Sequence, residues 1–327
     1  MKHIETMLSK TGNMKDLVRD GFIYEPKLDG VRAFCYKASK DIEFINRRER
    51  NITARYPELN FPELINTKSC ILDGEIIVYN EKGNPDFHLL MRRDQSSNPM
   101  LINIMSEDLP ATYAVFDILM KDGKDLTSLP LSKRKAILEK LIDESPRLQK
   151  IHYTDDGLGL WSFVMNRHLE GVVAKKANSS YEPGKRSGSW MKIKNFKTQD
   201  CIIVGFSQEK RILSALALAA YQNGKLRFLG KVGTGFKQSL LVELYDQLKG
   251  ITIEKPDFRV PSHYKGITWV QPKLACEVQY LEFGSDGMLR SPSFLRLRND
   301  KPLNQCILEI PEDKKLDSEN GYTKMAS

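Results

Sequence analysis

Short apolar runs, broken by turn residues, dominate the N-terminal part of the chain and predict a β-rich domain. Gly21-Phe22-Ile23-Tyr24 leads into a polar hexapeptide and Ala33-Phe34-Cys35-Tyr36 leads out of it, so Lys27 is expected between two strands. Cys70 to Tyr79 reads as a strand turning at Glu81-Lys82-Gly83-Asn84, and Tyr113 to Leu119 as another turning at Lys121-Asp122-Gly123. Ser132 to Ile142 predicts a helix, with Ser132 as its cap and Ala136, Ile137, Leu141 and Ile142 as its apolar stripe. Trp161 to Leu169 predicts a second helix running into Glu170.

The polar stretch Asn195 to Asp200 reads as a hinge between domains. Beyond it Cys201 to Phe206 predicts a strand, and Ile212 to Tyr221 pairs with Lys225 to Val232 through Asn223-Gly224, a strong hairpin signal. The alanines of Ser214 to Ala220 favour helix, but the adjoining turn and the Leu/Ala alternation favour strand. Gln238 to Leu248 predicts a helix, and Ala275 to Phe283 and Met288 to Leu289 flank a turn at Ser285-Asp286-Gly287. About five strands with one helix suit a small barrel of the OB type. Residues 311–327 are polar and aperiodic and are expected to fray.

Composition narrows the partner. With 50 basic against 42 acidic residues the chain carries +8 and a pI near 9.0, which favours a polyanion such as nucleic acid. The five cysteines and five histidines are scattered with no Cys-x-x-Cys pair, so neither a zinc site nor a disulfide framework is indicated. No apolar segment follows Met1-Lys2-His3-Ile4-Glu5 as a signal peptide would require. The longest apolar run, Ala215 to Tyr221, is too short to span a bilayer, and a reducing cytoplasm is the expected setting.

The chemistry is concentrated in Lys27-Leu28-Asp29-Gly30-Val31-Arg32, an amine that can act as nucleophile beside a bound nucleotide. Further along stand Leu72-Asp73-Gly74-Glu75-Ile76, Phe116-Asp117, Glu170-Gly171-Val172-Val173-Ala174-Lys175, Trp190-Met191-Lys192-Ile193-Lys194 and Arg298-Asn299-Asp300-Lys301. A lysine of pKa about 10.4 is neutral roughly once in a thousand at pH 7.4. A cation ~5 Å away at an effective dielectric of ~20 contributes ~3 kcal/mol, enough to lower that pKa by about two. Arg32, Lys192 and Lys194 are expected to supply this field and to activate Lys27.

That series of segments resembles the motifs of covalent nucleotidyltransferases, specifically ATP-dependent DNA ligases, from about Glu25 to Lys301. The resemblance implies an α+β chain. A nucleotidyltransferase (adenylation) domain of antiparallel sheets with helices spans residues 1–196, an OB-fold β-barrel domain spans 197–310, and a polar tail spans 311–327. It also implies that Lys27 attacks the α-phosphate of ATP, carries AMP as a phosphoramidate, passes it to the 5′-phosphate of a nick and lets a 3′-hydroxyl displace it. All three steps are in-line phosphoryl transfers, in which the protein mainly positions groups and neutralises charge.

By the same resemblance Glu25 reads the adenine edge, Phe116 stacks on the base, and Arg32 holds the sugar or the nick phosphate. Arg47 binds ribose and the 5′-phosphate. Glu75 accepts a ribose hydroxyl or helps hold a metal, and Glu170 is the chief metal-linked carboxylate, for Mg²⁺ or Mn²⁺. Arg186, Lys192 and Lys194 surround the α-phosphate, while Arg298 and Lys301 meet the β- and γ-phosphates. The pattern departs at one point: related enzymes carry glycine two residues after the arginine matching Arg47, and this chain has Glu49, so either the turn differs or Glu49 adopts strained torsions.

Tyr181-Glu182-Pro183-Gly184-Lys185-Arg186, Cys276-Glu277-Val278-Gln279-Tyr280 and Ser291 to Arg298 look like the ligase domain of prokaryotic DNA ligase D, the end-joining enzyme. With 26 residues before Lys27, a free-standing two-domain monomer is expected. It would act on nicked or broken double-stranded DNA with a Ku-like end-binding protein and a separate repair polymerase, in the nucleoid of a prokaryote. An RNA ligase or an mRNA-capping guanylyltransferase shares the lysine chemistry. A non-catalytic DNA-end-binding module would be expected to have lost Lys27, Glu170 or Lys192, and all three are present.

Overall fold

The computed structural model describes residues 4–209, 212–284 and 286–308, so the expected tail at 311–327 and Ser285 of the expected turn lie outside the described residues. The chain separates into two compact units, Met1–Asn195 and Phe196–Ser327. In chain order the first contains β1 (Leu8–Thr11), β2 (Phe22–Lys27), β3 (Val31–Ala38), β4 (Asp41–Asn46), β5 (Ser69–Val78), α1 (Phe87–Asp94) and α2 (Pro99–Asp108). It continues with β6 (Ala111–Lys121), β7 (Lys124–Asp125), α3 (Leu131–Leu141), β8 (Leu148–Lys150), α4 (Gly157–Asn166), β9 (Gly171–Lys176) and β10 (Arg186–Lys194).

These strands form two sheets. One runs β4-β3-β5-β6-β7 with β8 also beside β6, and the other runs β1-β10-β9-β2. Strand alternation decides what each face buries. Phe34, Ile71, Ile77, Ala114 and Phe116 point to one side of the larger sheet and meet Trp190 of the smaller one and Tyr181 of the segment between β9 and β10. Cys35, Leu72, Ile76 and Tyr113 point to the other side, under Leu90 of α1 and Leu138 and Leu141 of α3. The far face of the smaller sheet buries Tyr24, Val172 and Ile193 beneath α4. The pairing is antiparallel as expected except that β1 runs parallel to β10 and β8 parallel to β6.

Several expected details change. Ser132 does not cap α3: Pro130 precedes the helix and the Ser132 N–H donates to the Ala177 carbonyl. The buried face of α3 is Leu131, Arg134, Lys135, Leu138 and Leu141, with Ala136 exposed, because carboxylates on β6 and β2 receive the two cations. α4 starts at Gly157, where Asp156 accepts the Gly159 N–H at 2.8 Å. The turn after β4 closes with the Asn46 side chain accepting from Arg48 and Arg50 N–H, and Glu49 sits at φ +61°. Of the two alternatives for Glu49, the strained backbone is the one adopted, at a cost of about 1–2 kcal/mol.

The second unit holds β11 (Lys197–Ser207), β12 (Ala215–Gln222), β13 (Lys225–Val232), α5 (Gln238–Lys249), β14 (Thr252–Ile253), β15 (Thr268–Tyr280) and β16 (Ser293–Leu297). The order is β13-β12-β11-β15-β14, with β16 also on β15; among the described residues this hydrogen-bonded path is open, not a closed barrel. Asn223 and Gly224 both take positive φ, as the tight hairpin requires. Leu216, Leu218 and Ala220 of β12 enter one core cluster and Ala217 and Ala219 the other, which explains an alanine-rich strand buried on both faces. The Asn195–Asp200 stretch is mostly the start of β11. Met288–Leu289 makes only an isolated bridge, Leu289 to Phe283. All five cysteines are buried and free.

Candidate active site

Three strand ends bring the central charges together. Lys27 ends β2, Gly171 begins β9 and Lys194 ends β10, and the register sets Lys27 and Lys194 on either side of Gly171. Glu170, one residue earlier, therefore stands between the two lysines: Oε2 is 2.5 Å from Lys27 Nζ and Oε1 is 3.2 Å from Lys194 Nζ. Gly171 permits this spacing. Its φ is +151°, and a Cβ there would come 2.1 Å from the Ile193 carbonyl oxygen and 2.9 Å from Lys194 Cα.

Glu75 approaches from the larger sheet. β3 and β5 pair Arg32 with Glu75, and Gly30 lies so close to β5 that a Cβ would meet the Ile76 carbonyl at 2.4 Å and Glu75 Cγ at 2.6 Å. Burial pushes the Glu75 carboxyl up to about 7 against the pull of Lys27 and Arg32. Glu75 makes no ion pair or hydrogen bond among the described residues, which leaves its oxygens available to a ligand.

The structure reverses the expectation that cations depress the Lys27 pKa. Burial pulls the amine down, but Glu170, Glu75 and Asp29 outweigh it and hold Lys27 above the ordinary lysine value. Glu170 stands 2.5 Å from the amine. Lys192 receives the effect instead, held below its usual value by burial and by Lys194, Lys27 and Arg186. Because its pKa is raised, the Lys27–Glu170 pair stabilises the fold below the ordinary lysine pKa and loses that contribution as pH rises through the folded value. Glu170→Gln should lower the pH midpoint for acylation of Lys27 by an amine-directed reagent, because the nearest carboxylate that holds the amine protonated is gone. Mass-spectrometric quantification of the modified lysine across pH checks this.

Arg32 is already committed. It grips Asp73 through Nε and Nη2 at 3.0 and 2.6 Å, and it donates to the Met7 carbonyl at 2.7 Å and the Tyr181 hydroxyl at 3.3 Å. Most of its fork holds the protein, so the expected contact to a sugar or phosphate is left to few of its hydrogens. Glu25 is likewise spent: only 2 % exposed, it lies 2.5 Å from Lys135 and 2.6 Å from Lys175. The structure thus places the residue expected to read a base edge as the counter-ion of two buried lysines.

Lys175 was missed as a site residue although it closes the Glu170–Lys175 segment. Burial, reinforced by Lys135 and opposed by Glu25, pushes it down to about 8. Its amine lies 4.1 Å from the centre of the Phe116 ring and 4.3 Å from that of Trp190. Phe116 is only 7 % exposed, with Trp190 edge-on at 6.0 Å and the Arg32 guanidinium 5.3 Å from its centre. It is placed as a core ring beside the site.

The remaining cations are more open. Arg186 is exposed and donates to the Ser9 carbonyl at 2.5 Å, and Lys192 has no ion pair among the described residues. Arg47 is exposed at a cavity of about 210 Å³ that Phe34, Asn46, Glu49 and Gly184 also line. Arg298 and Lys301, in the second unit, both bind Asp200, Arg298 at 2.7 Å. Arg298 also grips Asp300 at 3.0 Å.

No group of three or more His, Cys, Asp or Glu poised for a metal occurs among the described residues. Glu75 and Glu170 suit a hard cation that takes one or two carboxylates and completes its shell with phosphate and water.

Comparison with known proteins decides the family. A model described as the ATP dependent DNA ligase domain matches residues 2–194, and one described as the ATP dependent DNA ligase C terminal region matches residues 209–301. The chain belongs to the ATP-dependent DNA ligases. Its ligase relatives include the multifunctional non-homologous end joining protein LigD of Mycolicibacterium smegmatis, 32 % identical over 311 residues, 93 % of this chain but 39 % of that protein. The SPbeta prophage-derived DNA ligase-like protein LigB of Bacillus subtilis is 30 % identical over 279 residues, 84 % of this chain and 92 % of that one. Among solved ligases, mycobacterial DNA ligase D complexed with ATP and MES superposes with a TM-score of 0.53 at 28 % identity, covering 94 % of this chain and 98 % of that one. The chain spans about two fifths of the length of the LigD proteins it matches.

Proposed function

We propose that the chain seals DNA through a lysyl-AMP intermediate on Lys27. The observation that carries this reading is the row of Lys27, Glu170 and Lys194 across three strand ends, with unpaired Glu75 facing it. The lysine must lose a proton to attack the α-phosphate, and Glu170 Oε2, at 2.5 Å, is the atom placed to take it. Lys192, Lys194 and Arg186 collect on the phosphate side and neutralise charge as pyrophosphate leaves. Mg²⁺ or Mn²⁺, held by Glu75 and Glu170, would withdraw charge from the phosphates. Arg298 and Lys301 orient the β- and γ-phosphates from the second unit.

The substrate is nicked or broken double-stranded DNA, favoured by the charge of +8. The relatives named for non-homologous end joining support a role at double-strand breaks, where a Ku-like end-binding protein and a repair polymerase are the expected partners and the cytoplasm of a prokaryote the expected setting. No helix among the described residues is long and apolar enough to cross a membrane.

Incubation with α-labelled ATP or GTP and a divalent metal tests the chemistry, after pyrophosphate treatment to strip any AMP already bound. Covalent label from ATP, followed by sealing of nicked DNA, is expected. Label from GTP alone would identify a guanylyltransferase, and sealing of RNA alone an RNA ligase. End joining that a Ku-like protein does not stimulate would remove the break-repair assignment.

A further inference from the structure

The carboxylate of Asp200 has no assigned role, yet it organises the one cationic pair of the second unit that the proposed reaction uses. Arg298 and Lys301 lie on a turn closed by the Lys301 N–H donating to the Arg298 carbonyl at 3.1 Å. The Arg298 backbone is tied to β15 through the Ala275 carbonyl at 2.8 Å. Asp200 lies on β11, beside β15, in register with Glu277. Its two oxygens are divided: Oδ1 accepts from Arg298 Nη1 at 2.7 Å, and Oδ2 accepts from Lys301 Nζ. Asp300 takes the other edge of the guanidinium through Nε and Nη2, both at 3.0 Å.

We propose that Asp200 is a positioning residue for self-adenylation, a template that sets the spacing of Arg298 and Lys301 before a triphosphate arrives. Two cations on one turn repel each other, and left alone both long side chains would spread into solvent. One carboxylate bridging them cancels the repulsion and fixes the two head groups a carboxylate's width apart. Each cation keeps hydrogens to spare: Arg298 uses one N–H on Asp200 and two on Asp300, and Lys301 uses one of three. The pair can therefore accept anionic oxygens without releasing Asp200. A charge-stabilising site ordered in advance avoids reorganisation when the pyrophosphate leaves. Asp200 holds the cations and need not touch the nucleotide.

The inference rests on the reading of Arg298 and Lys301 as triphosphate ligands, and the test separates the two. Full-length Asp200→Asn, Arg298→Ala and Lys301→Ala are compared for ATP-dependent labelling of the protein, sealing of a nick already carrying AMP, and thermal midpoint. Asp200→Asn should raise the KM for ATP and cut kcat/KM of labelling by about 10- to 100-fold. Sealing of the pre-adenylated nick and the thermal midpoint should stay near wild type, and Asp200→Glu should recover part of the labelling. Impaired labelling in both alanine variants with normal labelling in Asp200→Asn would overturn the template alone. Normal labelling in both alanine variants would overturn the reading beneath it as well. Equal loss of both reactions with a lowered thermal midpoint would make Asp200 merely structural. A lower KM for ATP would make it a competitor of phosphate, and either result overturns the proposal.

Discussion

Lys27→Ala should abolish the covalent label from α-labelled ATP and with it sealing of unmodified nicks, while pre-adenylated DNA remains a substrate. The amine forms the first covalent bond, so no partial activity survives its removal. Two other lysines share the neighbourhood, and neither is expected to take over. Lys194 is held by the second oxygen of Glu170. Lys192 is the more serious substitute, because its pKa is lowered and it forms no ion pair among the described residues, so its neutral amine is the more abundant one. Its place argues against it: it pairs with Val173 in the middle of β9, two residues from the strand end where Lys27, Glu170 and Lys194 converge. Label that survives Lys27→Ala and disappears in Lys192→Ala would reassign the nucleophile. Loss in Lys27→Ala alone, on protein first treated with pyrophosphate, fixes it at Lys27.

How far the chain could be read in advance depended on how local each determinant is. The β12–β13 hairpin was legible because Asn223-Gly224 specifies its turn and alternation specifies the strand, even against the helix propensity of its alanines. α1 and α2 were not anticipated. Their start signals, Asp86 and Asn98, are single side chains that resemble ordinary turn residues. The stripe of α3 was legible in part: Ile137, Leu141 and Ile142 meet the core, but hydrophobicity alone cannot show that Arg134 and Lys135 are buried. Their partners, Asp117 and Glu25, come from strands distant in sequence.

The site follows the same rule. Motif resemblance singled out Lys27, Glu75, Glu170, Lys192 and Lys194; the strand registers bring Lys27, Glu170 and Lys194 together with Lys192 two residues along β10, and Glu75 acts on Lys27 from the larger sheet. It did not show which cations are already neutralised. Asp73 holds Arg32, Glu25 holds Lys175, and Asp200 holds Arg298 and Lys301. Asp73 stands two residues before Glu75 and Asp117 directly after Phe116, so nearness in the chain was the one available signal for them. Their task is to hold a cation and not to touch the nucleotide, and spacing along the chain does not separate those two uses.

Asp117→Ala should destabilise the protein by about 3–5 kcal/mol, the cost expected when one partner of a buried ion pair is removed. Asp117 and Arg134 are both 0 % exposed and meet through two hydrogen bonds, at 2.8 and 2.9 Å. Arg134 also donates to the Leu129 and Ser179 carbonyls, so the guanidinium cannot swing out to water without breaking the start of α3 and the turn before Tyr181. Deleting the carboxylate therefore strands a charge in the core. Deleting both charges does not: Asp117→Leu with Arg134→Met should recover part of the loss, because an apolar pair carries no charge-desolvation penalty while the Leu129 and Ser179 carbonyls still lose the donor Arg134 gave them. Urea unfolding of the two single variants and the double variant gives the coupling directly, and additive losses would show that the pair is not the source of the effect. The consequence for chemistry follows from position. Phe116 precedes Asp117 on β6, and Tyr181, whose hydroxyl hydrogen-bonds Asp73, follows the Ser179 carbonyl that Arg134 holds. Labelling by ATP should thus weaken in Asp117→Ala even at temperatures where the chain is folded, and should return only in part in the double variant, because methionine gives the Leu129 and Ser179 carbonyls no donor.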